Sequence, residues 1–145
     1  MMKKKILIAL AIVLVIIQFV RIDKTNPVAL LENDFIEIVK PNAEIASMIM
    51  SSCYDCHSSQ SKYPWYSNIA PVSWLVKNHI NEGREHFNFS AWDMYSMQDR
   101  KEILHECAEE VEEKVMPMKP YLLMHGEAKL SDKQRATLVA FFESM

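Results

Sequence analysis

The sequence predicts an all-α fold, and three observations lead to this prediction. The chain of 145 residues contains only two glycines. Apolar residues recur at intervals of three and four along several segments, which is the period of an α-helix. Few segments alternate between apolar and polar residues as a half-buried strand requires. By length, residues 25–145 form one domain, preceded by residues 1–24, whose composition differs.

The first 24 residues resemble a targeting segment. Three lysines, Lys3 to Lys5, precede an apolar run from Ile6 to Val20 that only Gln18 interrupts, as in a signal sequence. A helix of this run would be about 22 Å long, against about 30 Å for the hydrocarbon core of a bilayer. Because no small-residue cleavage site follows, we expect an uncleaved transmembrane signal helix that anchors a periplasmic domain to the inner membrane. A cleaved signal peptide that releases the domain to the periplasm is the alternative.

The next segments carry the first helix of the domain. Residues 28–40 are ambiguous, and residues 35–39 are compatible with a short strand or an extended run. Pro41 to Glu44 then open a helix with apolar residues at helical spacing. This helix runs directly into Cys53.

Three further helices follow in the second half of the chain. One runs from about residue 71 to about residue 83, where glycine favours a helix end. A long helix covers roughly residues 98–115, and the prolines of residues 116–120 break it. The last helix begins at Ser131, because Ser131 and Gln134 form a capping-box pattern.

Residues 53–57 read Cys-Tyr-Asp-Cys-His, which is the attachment signature of a c-type haem. The thiols of Cys53 and Cys56 can form thioether bonds with the two vinyl groups of one porphyrin. The imidazole of His57 can then bind the iron as the proximal ligand. We therefore predict one covalent haem c with an iron centre, in a small cytochrome c-like helical domain.

Two other interpretations of this motif are weaker. A redox-active dithiol requires a βαβ context, and the chain shows little strand patterning. Structural zinc requires a second pair of ligands. His105 and Cys107 lie only two residues apart on a predicted helix and therefore point to different faces. We expect Cys107 to be a small buried apolar residue.

The sixth ligand of the iron is expected to be Met116, which lies in the loop broken by prolines. A methionine opposite a histidine raises the reduction potential of a haem and suits electron transfer. Met118 and Met124 are alternatives in the same loop. His79 is the main alternative from another element and would give a haem with two histidine ligands of lower potential.

Further residues are candidates for contacts with the haem. The carbonyl group of Pro71 could accept a hydrogen bond from the second ring nitrogen of His57. Arg84 could pair with a haem propionate. Three aromatic side chains could line the haem and bind a propionate: Trp65, Tyr66 and Trp74. The remaining histidines are expected on the surface or in loops: His86, His105 and His125.

The charge of the chain restricts its partners. It has 16 Lys and Arg against 19 Asp and Glu, a net charge of −3, and five of the basic residues lie in the first 24 positions. A nucleic acid is therefore an improbable partner, whereas a basic redox protein of unknown identity is plausible. The glutamates of residues 106–113 are expected to form a solvated helix face, with a docking patch as the alternative.

The chain resembles a known family in its motifs. The segments that carry the resemblance are Ser52–Ser58, Tyr63–Tyr66, Ile69–Trp74, His79–Ile80, Gly83–Arg84, Asn88–Trp92, Met116–Pro117 and Tyr121. With them the chain is similar, over about residues 27–144, to the single-haem "haem-binding domain" family of cytochrome c-like proteins. The resemblance implies a membrane-anchored or periplasmic c-type haem protein. The family usually has Met-Pro-Pro where this chain has Met116-Pro117-Met118, which makes Met118 a stronger competitor as a ligand.

The sequence thus favours a membrane-anchored monohaem cytochrome that carries single electrons in the periplasm, without catalytic residues. A haem-based gas or redox sensor, or another ligand-binding module, is the alternative. A small peroxidase is less favoured, because only His79 and Arg84 could supply the acid–base pair that it needs.

Overall fold

A computed structural model describes residues 2–145, and within this range it contains helices and no strands. The prediction of an all-α fold is therefore confirmed. The α-helices are α1 (Met2–Ile16), α2 (Phe35–Val39), α3 (Ala43–Ser52), α4 (Tyr54–His57), α5 (Val72–His86), α6 (Met97–Glu112), α7 (Lys119–Leu122) and α8 (Asp132–Glu143). Short 3₁₀ helices cover Ile17–Phe19, Leu31–Asn33, Trp65–Asn68, Phe89–Met94 and Gly126–Ala128.

The predicted transmembrane helix is wrong. Helix α1 has 15 residues, and no helix in the described part of the chain combines the length and the apolar character that crossing a membrane demands. The helix ends at Ile16 and a 3₁₀ turn follows. In this turn the Gln18 side-chain NH₂ donates to the carbonyl oxygen of Ala70 at 2.9 Å, and the Gln18 side-chain oxygen accepts from the N–H of Ala70 at 3.0 Å. The expected single-pass anchor in the inner membrane is therefore wrong as well.

The segment after α1 packs against the rest of the chain. The indole N–H of Trp74 donates to the carbonyl oxygen of Val20 at 3.0 Å. The Asn26 amide donates to the carbonyl oxygen of Ser61 at 2.9 Å. The boundary predicted after residue 24 stays a prediction, but residues 18–26 are in contact with the following domain.

Residues 35–39 form helix α2 and not the short strand that their apolar run suggested. The Asp34 carboxylate accepts a hydrogen bond from the N–H of Ile36 at 3.0 Å and caps the helix. Phe35 is fully buried, and the helix ends at Lys40, whose φ is 50°. Capping and burial thus override the strand propensity of these β-branched residues.

Local capping signals agree with the structure at α3 and α8. The Asn42 side chain accepts from the N–H of Ile45 at 2.9 Å and begins α3. Ser131 and Gln134 form the predicted reciprocal capping box at α8. Helix α5 continues to His86, three residues beyond the expected end at Gly83.

The core lies between these helices and is rich in aromatic residues. The Phe35 ring lies 4.9 Å from that of Phe89 and 4.8 Å from that of Trp92, and all three side chains are buried. Tyr54 of the Cys-Tyr-Asp-Cys-His motif stacks on Phe89 at 5.4 Å. Because aromatic residues bury large areas, this cluster holds the motif firmly against the core.

Candidate haem site

The motif occupies a single helical turn directly after α3. Helix α3 buries Ile45, Met48 and Ile49 in the core. Cys53 caps the C-terminus of α3, and its N–H donates to the carbonyl oxygen of Ile49 at 2.9 Å. The N–H of His57 then donates to the carbonyl oxygen of Cys53 at 2.9 Å, so that Cys53, Cys56 and His57 project from one compact turn.

Tyr54, the second residue of the motif, is fixed by a buried carboxylate. Its hydroxyl donates to the Asp34 carboxylate at 2.6 Å. The same carboxylate accepts from the Gln60 amide at 2.9 Å and from the Ser90 hydroxyl at 3.2 Å. Burial, followed by the bond to Asp34, raises the pKa of Tyr54, so the tyrosine remains a neutral donor.

Asp55, the third residue of the motif, ties it to two distant segments. One carboxylate oxygen accepts from the N–H of Lys62 at 3.1 Å, and the other accepts from the Tyr121 hydroxyl at 2.8 Å. The Asp55 carbonyl oxygen accepts from the Ser61 hydroxyl at 2.6 Å. Burial and the nearby Asp55 charge raise the pKa of Tyr121. Both residues between the cysteines therefore act as anchors that set the orientation of the motif.

Gly83 allows α5 to pass very close to the motif. A Cβ atom at this position would lie 2.9 Å from the carbonyl oxygen of Cys56 and 3.1 Å from its Cβ. Real Cβ atoms do not approach a carbonyl oxygen so closely. The glycine therefore serves a close helix–helix approach rather than the helix end that the sequence suggested.

His57 is held as a neutral imidazole. Its ring stacks on Phe87 at 4.2 Å with an interplanar angle of 15°. Burial lowers the pKa of His57 to about 4, and backbone groups of Phe87 and Gly83 near the ring act against this shift. The neutral form is the one that binds a metal ion.

The second ring nitrogen of His57 does not find the predicted acceptor. The Nδ1 atom is buried and has no hydrogen-bond partner among residues 2–145. The carbonyl oxygen of Pro71 instead accepts from the N–H of Trp74 at 3.1 Å at the start of α5.

The thiols of the motif are protonated at neutral pH. Burial raises the pKa of Cys53 to about 12, and the neighbouring Cys56 adds to the shift. Burial, followed by the charge of Asp55, raises the pKa of Cys56 to about 11. Redox-active dithiols have lowered pKa values, so this site does not resemble a dithiol of that class. All three cysteines, including Cys107, are free thiols.

Three adjoining cavities surround the motif and share lining residues. The central cavity of about 130 Å³ is lined by Cys53, Cys56 and His57. It adjoins a cavity of about 430 Å³ on the side of Cys107 and one of about 370 Å³ on the side of Tyr66. Sites for small ligands and cofactors occupy about 300–1,000 Å³. Two of the three cavities fall within this range, and we call the three together the slot.

The candidate sixth ligands lie along this slot. Met116 lines the central cavity and the one beside Cys107. Met118 and His79 line the central cavity and the one beside Tyr66. His79 belongs to α5, the helix that also contacts Cys56 and His57, whereas both methionines come from the loop after α6.

The other predicted contact residues divide into two groups. Trp65 and Tyr66 line the cavity of about 370 Å³. Pro71, Trp74 and Arg84 are not among the lining residues of the three cavities.

Arg84 instead fastens the loop after the motif. Its guanidinium donates to the carbonyl oxygen of Ser58 at 2.7 Å. It also donates to the Asn26 amide oxygen and the Ser61 hydroxyl, both at 2.8 Å. These bonds join the N-terminal segment to the loop, so the structure does not bring Arg84 together with His79.

His125 is a site residue that the sequence did not indicate. Its side chain is only 13% exposed, and its ring stacks on Tyr121 at 4.1 Å. Its Nδ1 lies 3.0 Å from the Glu127 carboxylate, and its Nε2 lies 2.7 Å from the Tyr66 hydroxyl. Because a carboxylate only accepts, Nδ1 carries the hydrogen of the bond to Glu127. No local pattern signals the contact between His125 and Tyr66, which lie 59 positions apart.

Comparison with known proteins identifies the family of this chain. The model of one family, described as a haem-binding domain, matches residues 12–144. None of the curated proteins matches the chain, and neither does any solved structure.

Proposed function

Because the chain belongs to the haem-binding domain family and is a haem-binding protein, we propose that it holds a single haem c and carries one electron at a time. Cys53 and Cys56 attach the haem covalently, and His57 and Met116 bind its iron. The observation that carries the proposal is the shared slot, which is lined by both thiols, by His57 and by Met116.

The residues of the slot fit a haem in their chemistry. Gly83 lets α5 lie directly against Cys56, one of the two thiols that line the slot. His57 is buried and neutral, with a pKa of about 4, and it lines the central cavity. A bound haem supplies an iron centre that accepts and releases one electron.

The two cysteines contribute neutral thiols in a fixed position. The raised pKa values of Cys53 and Cys56 keep the hydrogen on each sulfur. In the proposed attachment, each S–H adds across a vinyl double bond, so that no external oxidant or reductant is consumed. The anchors at Tyr54 and Asp55 fix the spacing of the two sulfur atoms during this step.

Met116 is better suited than His79 to bind the iron opposite His57. Helix α5 packs Gly83 against Cys56, and Phe87, the residue after α5, stacks on His57. His79 therefore extends from a helix that already packs against the motif. Met116 reaches the same central cavity from a separate loop. Histidine with methionine ligation favours a higher potential than two histidines and therefore suits an electron carrier.

The covalent attachment is tested by the pyridine haemochrome spectrum of protein made in a host that attaches haem c. We expect the spectrum of a haem with two thioether bonds, retained by the chain after acid–acetone extraction. Haem that is fully extracted would refute the covalent bond. A Cys56→Ser variant should shift the spectrum to that of a single thioether.

The ligand and the electron-carrier role are tested on the same full-length holoprotein. The ferric form should show a methionine–iron charge-transfer band that Met116→Ala abolishes and that the matched variants His79→Ala and Met118→Ala retain. A redox titration should follow a one-electron curve. Rapid binding of carbon monoxide to the reduced wild type, together with no methionine band, would instead favour the sensor or ligand-binding alternative.

A further inference from the structure

Arg135 is a buried charged residue that the haem slot does not use directly. It lies on α8 with 8% exposure. One terminal nitrogen, Nη1, donates to the carbonyl oxygen of Val111 at 2.9 Å and to that of Met116 at 2.8 Å. No carboxylate within residues 2–145 forms an ion pair with it. Its hydrogen bonds are therefore directed to the backbone that carries Met116.

The carbonyl oxygen of Val111 belongs to the C-terminal turn of α6. The last carbonyl oxygens of a helix lack partners within it and carry a partial negative charge. A cation at this end compensates that charge, and Arg135 is placed to do so. The guanidinium therefore needs no carboxylate to offset the cost of its burial.

The backbone of Met116 is fixed on both sides. The chain reverses at Lys114, whose φ is 61°. The N–H groups of Val115 and Met116 then both donate to the carbonyl oxygen of Glu110, at 3.0 Å each. On the other side, the Met116 carbonyl is held by Arg135 and the following Pro117 is buried. Only the side-chain torsions of Met116 remain free to set the position of its sulfur.

We infer that Arg135 is a positioning residue that holds the backbone of Met116 where its sulfur would bind the haem iron. The two hydrogens of Nη1 bridge the end of α6 and the methionine, so α8 fixes the loop at the point where it enters the slot. This inference rests on the proposed ligation by Met116. According to this inference, Arg135, which lies outside the slot, controls the fraction of the protein in which Met116 is bound to the iron.

A purely structural role for Arg135 makes a different prediction. If Arg135 only stabilised the fold, its replacement would lower the unfolding temperature without changing the ligand in the folded fraction. Positioning instead requires that folded protein with its full haem content loses the methionine bond. The ferric charge-transfer band and the rate of carbon monoxide binding to the reduced haem report that bond directly.

The test uses the haem-loaded full chain in three variants. Arg135→Met keeps the length of the side chain but removes both donors, and Arg135→Lys keeps a cation with a different reach. Arg100→Met is the matched control, because Arg100 donates to the carbonyl oxygen of Trp92 at 3.1 Å and lines none of the three cavities. Haem per chain and far-UV circular dichroism normalise each measurement to folded holoprotein.

The expected result is a loss of methionine ligation in Arg135→Met. The removal of a hydrogen bond from a charged donor shifts the equilibrium between bound and free methionine by about tenfold or more. The band should weaken accordingly and carbon monoxide should bind faster, with Arg135→Lys intermediate and Arg100→Met unchanged.

Two outcomes overturn the inference separately from the proposed function. A wild-type band in folded Arg135→Met, with unchanged carbon monoxide binding, refutes the role of Arg135 and leaves ligation by Met116 intact. If Arg135→Met does not fold, Arg135→Lys decides, because a band as strong as in wild type refutes the inference. A wild type without the band refutes ligation by Met116, and the inference about Arg135 with it.

Discussion

Gly83→Ala tests how closely α5 must approach the motif of residues 53–57. The added Cβ would lie 2.9 Å from the carbonyl oxygen of Cys56, and 3.1 Å from both its carbonyl carbon and its Cβ. All three atoms belong to the backbone or sit directly on it, so no flexible end of a side chain can move away. Helices α4 and α5 would have to separate.

The magnitude follows from two opposing effects. Alanine in a helix interior is favoured over glycine by about 1 kcal/mol. Overpacking of a filled interior costs about 1–3 kcal/mol, and a contact under 3 Å with backbone belongs to the upper part of that range. We therefore expect a net loss of about 1–2 kcal/mol in the free energy of unfolding, which lowers Tm by roughly 3–8 °C in a domain of this size.

Thermal unfolding of the haem-loaded chain measures this loss. The matched control is Gly126→Ala, because a Cβ at Gly126 meets nothing within 4 Å, and it should change the unfolding free energy by less than about 0.5 kcal/mol. If Gly83→Ala were as stable as wild type or more stable, helix propensity would outweigh the contact. The argument that Gly83 provides room for Cys56 would then fail.

Three further substitutions have predictable outcomes in the same unfolding assay. Tyr121→Phe leaves one oxygen of Asp55 without its donor and should lower the free energy of unfolding by about 1–2 kcal/mol. The control Tyr63→Phe should cost less, because the Tyr63 hydroxyl makes one 3.5 Å contact. Equal losses in the two variants would contradict the role of Tyr121 as a specific anchor. Asp34→Ala removes an acceptor shared by buried donors and should cost about 3 kcal/mol or more; a loss below 1 kcal/mol would contradict the network. Cys107→Ser places a hydroxyl where a partly buried thiol packs against the hydrophobic core and should cost about 1–3 kcal/mol, with haem per chain unchanged. Loss of covalent haem would show that this thiol takes part in attachment.

Local signals in the sequence predicted several elements correctly. The helix start at residues 41–44 and the capping box at Ser131 depend on residues within three positions of each other, and both occur as expected. That α3 leads directly into Cys53 also follows from the helical spacing of its apolar residues. Such features are readable because the interacting atoms are close in sequence.

The features that the sequence did not reveal depend on distant contacts. The backbone contact at Gly83 and the enclosure of His125 by Tyr66 involve segments far apart in the chain. Residues 35–39 have the composition of a strand, yet Asp34 caps them as a helix. The apolar run at the N-terminus suggested a membrane span by composition, but the helix ends at Ile16. In each case tertiary contacts or capping outweighed propensity.

The central claim is that one haem is covalently bound to Cys53 and Cys56. It is tested most directly by the intact mass of the full-length protein under denaturing conditions, after expression with haem c maturation. The account predicts the mass of the chain plus one haem, and the mass of the chain alone for a Cys53→Ser, Cys56→Ser double variant. A wild-type mass equal to that of the chain alone would contradict it.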